Sequence, residues 1–303
     1  MILADHTLLG DPHLGRRFRA GVPLHRRGER ERLVWQDFEN SIASCNTRYH
    51  LCMGDLFDSF IVAPEIVLQA AQAYRNAPSD VEFIILRGNH DVSRDISRAS
   101  SFDLFKALVA DLPHVRVIDR VLIEDAVAFI PFDPFKPVAE TIKGLPDGLG
   151  CLFMHHDFVD FGGDQVIPTK LLAEKGIKRV VNGHDHVART EKRHGVEVVM
   201  TGSMQPYSHA EDPEGRFYIT TTLDRLPADI QNMNVRLILR EGEVAPEDLD
   251  CLSLTIQREQ KVEEVEQVDI DTLDVPAALA QALDGLSIKD TLMERFHDHA
   301  TVS

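Results

Sequence analysis

Short apolar runs that end abruptly in polar clusters recur along the first 200 residues of the chain. They are HTLLGDPH (6–13), YHLCMGDLFD (49–58), VEFIILRGNHD (81–91), CLFMHHDF (151–158) and RVVNGHDH (179–186). Runs of this length, bounded by turn-forming residues, are typical of buried strands. The pattern therefore predicts five strands, each followed at its carboxyl end by polar side chains.

Three segments between these runs have apolar residues at three- and four-residue spacing. They are ERLVWQDFENSIASC (31–45), PEIVLQAAQAYRNA (64–77) and SFDLFKALVADL (101–112). This spacing predicts amphipathic helices, and Pro64 is expected at the start of the second one. Strands that alternate with helices indicate an α/β fold built in layers.

The pattern changes after about residue 195. VEVVMTGSMQP (196–206), RFYITTTL (216–223), NVRLILRE (234–241) and LDCLSLTIQRE (249–259) predict further strands. From about residue 276 helical spacing returns, with apolar residues at Leu279, Leu283, Leu286, Leu292 and Phe296. We therefore expect a main domain over residues 1–224, a small strand-rich region over 225–270 and a C-terminal helical segment over 271–303.

The net charge of −17 is unevenly distributed along the chain. From Glu241 onward there are 16 acidic residues against 4 basic ones, which would provide either a soluble edge or a surface for a partner. The sign reverses in HLGRRFRAGVPLHRRGERERL (13–33), which contains seven arginines and two glutamates. An acidic chain is an unusual partner for nucleic acid, but this arginine-rich segment directly follows a polar strand end. Two interpretations stay open for it, a solvated loop or a phosphate-binding one.

Several kinds of segment are missing from the sequence. No run approaches the roughly 18 apolar residues that span a bilayer, and the first residues have neither a basic stretch nor a long apolar one. The four cysteines are scattered without C-x-x-C spacing. We therefore expect a cytoplasmic protein with reduced cysteines and no membrane association.

Side chains that can bind metal ions follow all five of the first strands. They are Asp11 and His13, Asp55, Asn89 and His90, His155 and His156, and His184 and His186. Because functional residues of α/β sheets collect beyond the carboxyl ends of the strands, these side chains are expected to meet. Imidazole, carboxylate and amide groups suit Mn²⁺, Fe or Zn²⁺ better than Ca²⁺. Seven or eight ligands exceed the needs of one ion, so the sequence predicts two.

The ordered blocks GDPH, MGDLFD, RGNHD, FMHHD and NGHDH resemble the calcineurin-like metallophosphoesterase superfamily. The resemblance implies a four-layer α/β sandwich, in which two mixed sheets are flanked by helices. It also implies that one ion binds Asp11, His13 and His186, that the other binds Asn89, His155 and His184, and that Asp55 bridges them. His155 is preferred to His156 because it ends the apolar run and the residue after the family's ligand varies.

The same resemblance implies hydrolysis of phosphodiesters by a hydroxide held between two divalent ions. Mn²⁺ is favoured, with Fe, Zn²⁺ and Mg²⁺ as alternatives. His90 is expected to protonate the leaving oxygen. Asp91 has two interpretations that stay open, as the carboxylate that orients His90 and as a residue that caps a loop.

Two longer blocks resemble the Mre11/SbcD group of DNA-repair nucleases. GDPHLGRRFRAGVPLHRRGERERLVWQDFENSI (10–42) is similar to the opening of that group, and MTGSMQPYSHAEDPEGRFYI (200–219) to its block after the last metal motif. The resemblance implies DNA as substrate, held in part by Arg16, Arg17 and Arg19. It further implies a Rad50/SbcC-type ATPase partner for the C-terminal segment, and a homodimer formed through a helix such as residues 64–77.

The chain departs from that group in two respects. It is short, so the capping region is reduced, as in compact phage-encoded members. Asp58 stands where many members have a histidine implicated in handling double-stranded ends. Two alternative functions therefore stay open: a small-molecule or cyclic-nucleotide phosphodiesterase, and a subunit that binds DNA ends without cutting them.

Overall fold

The computed structural model describes residues 5–95, 98–160, 162–246 and 249–259, and the single positions 279, 283, 284, 289 and 292. The chain divides into two compact units, residues 1–257 and 258–303. In the second unit the backbone N–H of Leu283 donates to the carbonyl oxygen of Leu279 at 3.0 Å, a helical spacing. Leu286 and Phe296 of the predicted helical segment lie outside the described residues, so its role in docking stays a prediction.

The first sheet has four parallel strands in the order β1-β2-β3-β4. These strands are β1 (His6–Leu9), β2 (Tyr49–Cys52), β3 (Glu82–Leu86) and β4 (Val115–Ile118). The helices that connect them are α1 (Glu29–Ala43), α2 (Pro64–Arg75) and α3 (Ser101–Leu108). Pro64 lies in the first turn of α2, where its missing N–H leaves no helical bond unmade. Ser100 and Asp103 form a capping box at the start of α3.

The second sheet has six strands in the order β5-β6-β7-β8-β10-β9. They are β5 (Leu122–Glu124), β6 (Val127–Ile130), β7 (Cys151–Met154), β8 (Arg179–Asn182), β9 (Arg189–Arg193) and β10 (Val196–Met200). The four central strands are parallel, whereas the edge strands β5 and β9 are antiparallel to their neighbours. The short helices α4 (Val138–Lys143) and α5 (Thr169–Glu174) belong to this half of the fold.

Three layers of apolar side chains hold the sheets and helices together. Residues of both sheets pack against each other in the central layer, among them Leu51, Ile84, Phe129, Phe153 and Val181. The outer face of the first sheet packs on α1, α2 and α3, and that of the second sheet on α4 and α5. The predicted four-layer sandwich with two flanked sheets is therefore confirmed, although the first sheet is all-parallel and the second is mixed.

A third sheet follows, with three strands in the order β11-β12-β13. They are β11 (Tyr218–Thr222), β12 (Asn234–Leu239) and β13 (Ser253–Arg258). Val235, Leu237 and Cys251 form part of its own small core. These strands confirm the strand-rich pattern predicted after about residue 195, whereas the proposed domain boundaries at 224 and 270 stay a prediction.

The parallel strands place their carboxyl ends at a common edge. Backbone bonds join the loops there: the N–H of His13 donates to the carbonyl oxygen of Asp55 at 3.0 Å, and that of Gly183 to Met154 at 3.0 Å. The four cysteines are free. In the part of the chain that the structure describes, no helix is long and apolar enough to cross a membrane.

Candidate metal centre

The side chains predicted to bind metal meet just beyond β1, β2, β3, β7 and β8. Their ligand atoms form groups in which all atoms lie within 4.8 Å of one another: Asp11, His13 and His186; His13, Asp55 and His90; and Asp55, His155 and His184. Five strands of two sheets thus deliver their polar ends to one place. This convergence is the arrangement expected from the position of the motifs along the chain.

The first group is built around two imidazoles that face each other. Nε2 of His13 lies 3.0 Å from Nε2 of His186, and the latter lies 3.6 Å from Oδ2 of Asp11. Oδ1 of Asp11 is buried and has no hydrogen-bond partner among the described residues. Two nitrogens and a carboxylate directed at one point, with a buried oxygen unsatisfied, fit a bound cation.

The other predicted set of ligands, Asn89, His155 and His184, is built around the amide of Asn89 and forms the second ligand group. Oδ1 of this amide lies 2.9 Å from Nε2 of His155 and 2.9 Å from Nδ1 of His184. Oδ2 of Asp55 lies 3.3 Å from Nε2 of His155 and 3.8 Å from Nε2 of His13, so it stands between the two groups. His155 belongs to the group, whereas the ring of its neighbour His156 lies 5.9 Å from the ring of Phe132.

The backbone around these groups is tightly constrained. His13, Asp55 and His184 all have positive φ angles, of 47°, 48° and 71°, which non-glycine residues rarely adopt. A Cβ atom on Gly54 would lie 2.1 Å from Nδ1 of His155, and one on Gly88 would lie 2.1 Å from Oδ1 of Asp55. Only glycine allows these loops to approach the ligands so closely. Strain of this kind persists where the surrounding structure enforces it, which is common at functional sites.

Burial and neighbouring charges shift the pKa values of the buried carboxylates and of His155 in different directions. Burial raises the pKa of Asp11 to about 6. Burial also disfavours ionisation of Asp55, but the charge of His155 outweighs it and holds the pKa of Asp55 well below its usual range. In the same way Asp55 and Asp11 overcome the effect of burial on His155 and raise its pKa to about 10. A divalent cation would stabilise the ionised form of Asp11, which burial disfavours.

These residues fit two divalent ions with mixed nitrogen and oxygen ligands. Asp11, His13 and His186 would hold one, Asn89, His155 and His184 the other, with Asp55 between them. When bound, such ions supply Lewis acidity toward a phosphoryl oxygen and lower the pKa of water. Imidazole, carboxylate and amide ligands are compatible with several metals, so Mn²⁺ stays a prediction.

His90 lies on the open side of the centre. Its Nδ1 lies 2.6 Å from the backbone oxygen of Asp58, which directs Nε2 toward the site, 4.0 Å from Oδ2 of Asp55. The side chain is 41% exposed and can reach a bound substrate. Its predicted role as the proton donor to the leaving oxygen is consistent with this position and stays a prediction.

The carboxylate of Asp91 contacts the backbone of the neighbouring loops. Oδ1 accepts from the N–H of Phe57 at 3.0 Å, and Oδ2 accepts from the N–H of Leu56 and Gly88 at 3.2 and 2.9 Å. Burial and the nearby charge of Asp55 raise its pKa to about 7. These contacts are those of a loop-capping carboxylate, the alternative left open above. None of these bonds joins Asp91 to His90, so the role of Asp91 in orienting His90 stays a prediction.

The arginine-rich segment 13–33 is divided between surface and interior. Arg17 and Arg19 are exposed, and Arg16 is partly exposed, 3.3 Å from the carboxylate of Asp58. Arg26 and Arg30, by contrast, are only 7% and 2% exposed. Neither interpretation of the segment, as a solvated loop or as a phosphate-binding one, therefore holds for these two residues.

The two buried arginines have structural partners far along the chain. Arg26 donates to the backbone oxygen of Gln231 at 2.7 Å and to the carboxylate of Asp250 at 2.9 Å. Arg30 donates to the backbone oxygen of Pro206 at 2.8 Å and lies 4.5 Å above the ring of Phe217. These contacts connect the start of α1 to the segments that contain the third sheet.

Three residues that the sequence did not single out touch the ligands. Asp157 contacts His184, and Glu211 contacts His186. Tyr207 donates through its hydroxyl to the backbone oxygen of Pro12, and the edge of its ring packs on that of His13 at 5.4 Å. Asp157 stands directly after the HH pair, which was an available signal, whereas Glu211 and Tyr207 have no spacing that marks them.

A cleft of about 400 Å³ opens beside the two histidines of the last motif. Its lining residues are Asp157, Phe158, Val159, His184, Asp185, His186 and Arg189. Arg189 is held by the carboxylates of Asp185 and Glu191 at 2.6 and 2.8 Å. The cleft therefore gives access to the metal centre from one side. The guanidinium of Arg189 in its lining is already paired with two carboxylates.

Comparison with solved structures found similarity at low sequence identity. GAP50, the anchor in the inner membrane complex of Plasmodium, is 12% identical with a TM-score of 0.41, over 66% of this chain and 72% of that one. The phosphopantetheinyl hydrolase of Mycobacterium tuberculosis is 15% identical with a TM-score of 0.39, over 68% and 95%. The protein TT1561 of Thermus thermophilus is 12% identical with a TM-score of 0.41, over 66% and 89%. Because these TM-scores are low, no property of the three proteins is transferred to this chain.

Comparison at the level of sequence families is decisive. A search of curated proteins found no match. Residues 7–188, more than half of the chain, match the model of the calcineurin-like phosphoesterases. This range includes all five motifs and all seven side chains of the two ligand groups. The chain therefore belongs to the calcineurin-like phosphoesterase family, and its centre is that of a metal-dependent phosphoester hydrolase.

Proposed function

We propose that this protein is a metal-dependent DNA nuclease of the Mre11/SbcD type that acts in DNA repair or recombination. The observation that carries the proposal is the position of Arg16, Arg17 and Arg19, three to six residues after His13. Arg16 lies 3.3 Å from the carboxylate of Asp58, which lies 3.6 Å from Nδ1 of His13, and the next two arginines of the segment are exposed. A run of cations beside a phosphodiester-cleaving centre suits a polyanionic substrate better than a single small diester.

The block at residues 200–219 supports the same assignment. Tyr207 packs against His13, and Arg16 lies 5.0 Å above the ring of Tyr207. The two segments that resemble the Mre11/SbcD nucleases thus contact each other at the metal centre. In this function His90 protonates the leaving oxygen, while the arginines hold the phosphates of the strand.

The proposal includes partners. A Rad50/SbcC-type ATPase would bind the acidic C-terminal segment. Any ATP dependence would come from this partner, because the sequence has no P-loop motif. A homodimer would form through α2, where Leu68 is 57% exposed. Both partners extend the resemblance and are tested by co-purification and by mass measurement in solution.

The cleft beside His184 and His186 favours a second candidate function. Its volume of about 400 Å³ is within the range of small-ligand sites, so it could hold one nucleotide. A small-molecule or cyclic-nucleotide phosphodiesterase would use this cleft and would not need the exposed arginines. A subunit that binds DNA ends without cutting them would need the arginines but not the ligand groups.

The test is Mn²⁺-dependent cleavage of end-labelled single- and double-stranded DNA, alongside bis-p-nitrophenyl phosphate and 2′,3′-cyclic AMP. Arg17→Ala and Arg19→Ala are compared with Arg179→Ala, an exposed arginine at the opposite end of β8. Each of the first two should raise KM for DNA and lower the slope of log affinity against log salt by about 1, with the small diester unaffected. The control should behave like the wild type.

Turnover of the small diesters with DNA left intact would contradict the proposal and favour the phosphodiesterase. Binding of DNA without cleavage of any substrate would favour the end-binding subunit. DNA cleavage that both arginine variants leave unchanged would contradict the proposal that these arginines hold the DNA.

A further inference from the structure

The two histidines of the GHDH motif present different nitrogens to the metal centre. His184 directs Nδ1 at Asn89, whereas His186 directs Nε2 at His13 and Asp11. An imidazole that binds a metal through one nitrogen carries a proton on the other. The second nitrogen of each ring therefore needs a hydrogen-bond acceptor.

A carboxylate meets the second nitrogen of His184. Nε2 of this ring lies 2.6 Å from Oδ1 of Asp157. Asp157 is itself fixed, because its backbone N–H donates to the carbonyl oxygen of Gln165 at 3.2 Å and its own carbonyl oxygen accepts from the N–H of Ile167 at 2.9 Å. The backbone that carries this carboxylate is thus fixed by the strand-like pairing of its loop.

A second carboxylate meets the second nitrogen of His186. Nδ1 of this ring lies 3.3 Å from Oε2 of Glu211. Glu211 accepts two further bonds, from the N–H of Tyr207 at 2.8 Å and from the hydroxyl of Ser208 at 3.0 Å. It is 18% exposed, so water screens this contact only in part.

We propose that Asp157 and Glu211 are positioning residues of the metal centre, each of which fixes the tautomer and ring orientation of one GHDH histidine. Asp157 acts on the ion held by Asn89, His155 and His184. Glu211 acts on the ion held by Asp11, His13 and His186. The proposal concerns the ligands alone and holds whether the substrate is DNA or a small diester.

The experiment is calorimetric titration of the metal-free, full-length protein with Mn²⁺. Asp157→Ala and Glu211→Ala are each compared with an exposed carboxylate nearby, Asp164→Ala and Glu214→Ala. Each positioning variant should weaken one of the two binding events by about 10- to 100-fold and leave the other unchanged. The double variant should weaken both events, and the controls should bind like the wild type.

Two further measurements separate positioning from a general structural role. The melting temperature of metal-free Asp157→Ala should match that of the metal-free wild type, because the bond to the histidine matters most when the ion is bound. Glu211→Ala also loses the bonds from Tyr207 and Ser208, so its melting temperature is compared with that of Glu211→Gln. Asp157→Asn and Glu211→Gln keep an acceptor oxygen, so they should restore part of the lost affinity.

Several results would overturn the proposal. One is unchanged binding of two Mn²⁺ ions by both alanine variants. Another is weakening of the same single event by both variants. A third is a large fall in the metal-free melting temperature together with no recovery of affinity in the Asn and Gln variants.

Discussion

Replacing Gly88 by alanine should damage the centre through one methyl group. A Cβ at this position would lie 2.1 Å from Oδ1 and 2.2 Å from the backbone nitrogen of Asp55. Ordinary contact begins at 3.4 Å, so Asp55 must retreat by about 1.3 Å. The atoms it meets include backbone, which no side-chain rotation can clear. Because Asp55 stands between the two ligand groups, both should be disturbed.

The expected loss is large for activity and moderate for stability. A misplacement of about 1 Å at a reacting centre costs about 100-fold in rate, and overpacking of this kind costs about 1–3 kcal/mol in the free energy of unfolding. The assay is Mn²⁺-dependent hydrolysis of bis-p-nitrophenyl phosphate, with urea unfolding beside it. Gly144→Ala is the matched control, since its Cβ would find its nearest atom at 3.5 Å. A value of kcat/KM within about threefold of the wild type for Gly88→Ala would refute the reasoning.

Three further predictions concern stability. Burial lowers the pKa of His50 to about 4, so between about pH 6.5 and 4 the unfolded chain binds a proton at this residue that the folded chain does not. His50 therefore lowers the free energy of unfolding by up to about 3 kcal/mol as pH falls, and His50→Leu should remove this share of the fall in urea unfolding at each pH. Arg26→Leu should cost about 2 kcal/mol and speed hydrogen exchange in the third sheet, whereas exposed Arg27→Leu should do neither. Mn²⁺ at 100 times its Kd should raise the melting temperature by about 5–10 °C, and EDTA should reverse the rise; a melting temperature independent of Mn²⁺ would contradict the ligand assignment.

The sequence was informative where chemistry and pattern coincide. The ends of β1, β2, β3, β7 and β8 were predictable, because a buried strand leaves a short apolar run and its ligands must follow immediately. The helices α1, α2 and α3 were predictable from their apolar spacing and from Pro64. By contrast the sequence does not mark β4, β5, β6, β9, α4 and α5, since these segments are too short to show a period and no ligand motif follows them.

Long-range partners account for the rest. A charged side chain alone predicts exposure, yet Arg26 and Arg30 are buried and their acceptors lie up to 224 residues away along the chain. Asp157 directly follows the HH pair, but the sequence does not show that it contacts His184, and Glu211 is one acidic residue among 49 with no spacing that would mark it. Their contacts with the histidines exist only once β7, β8 and the segment after β10 are assembled.

The measurement that tests the central claim most directly is cleavage of end-labelled DNA in Mn²⁺ by the wild type and by His90→Ala. We expect the wild type to cut DNA, and we expect the variant to bind DNA and Mn²⁺ normally but to cut at least about 100-fold more slowly, since a proton donor contributes about 10²- to 10⁴-fold. A wild type that hydrolyses bis-p-nitrophenyl phosphate but leaves single- and double-stranded DNA intact would contradict the claim.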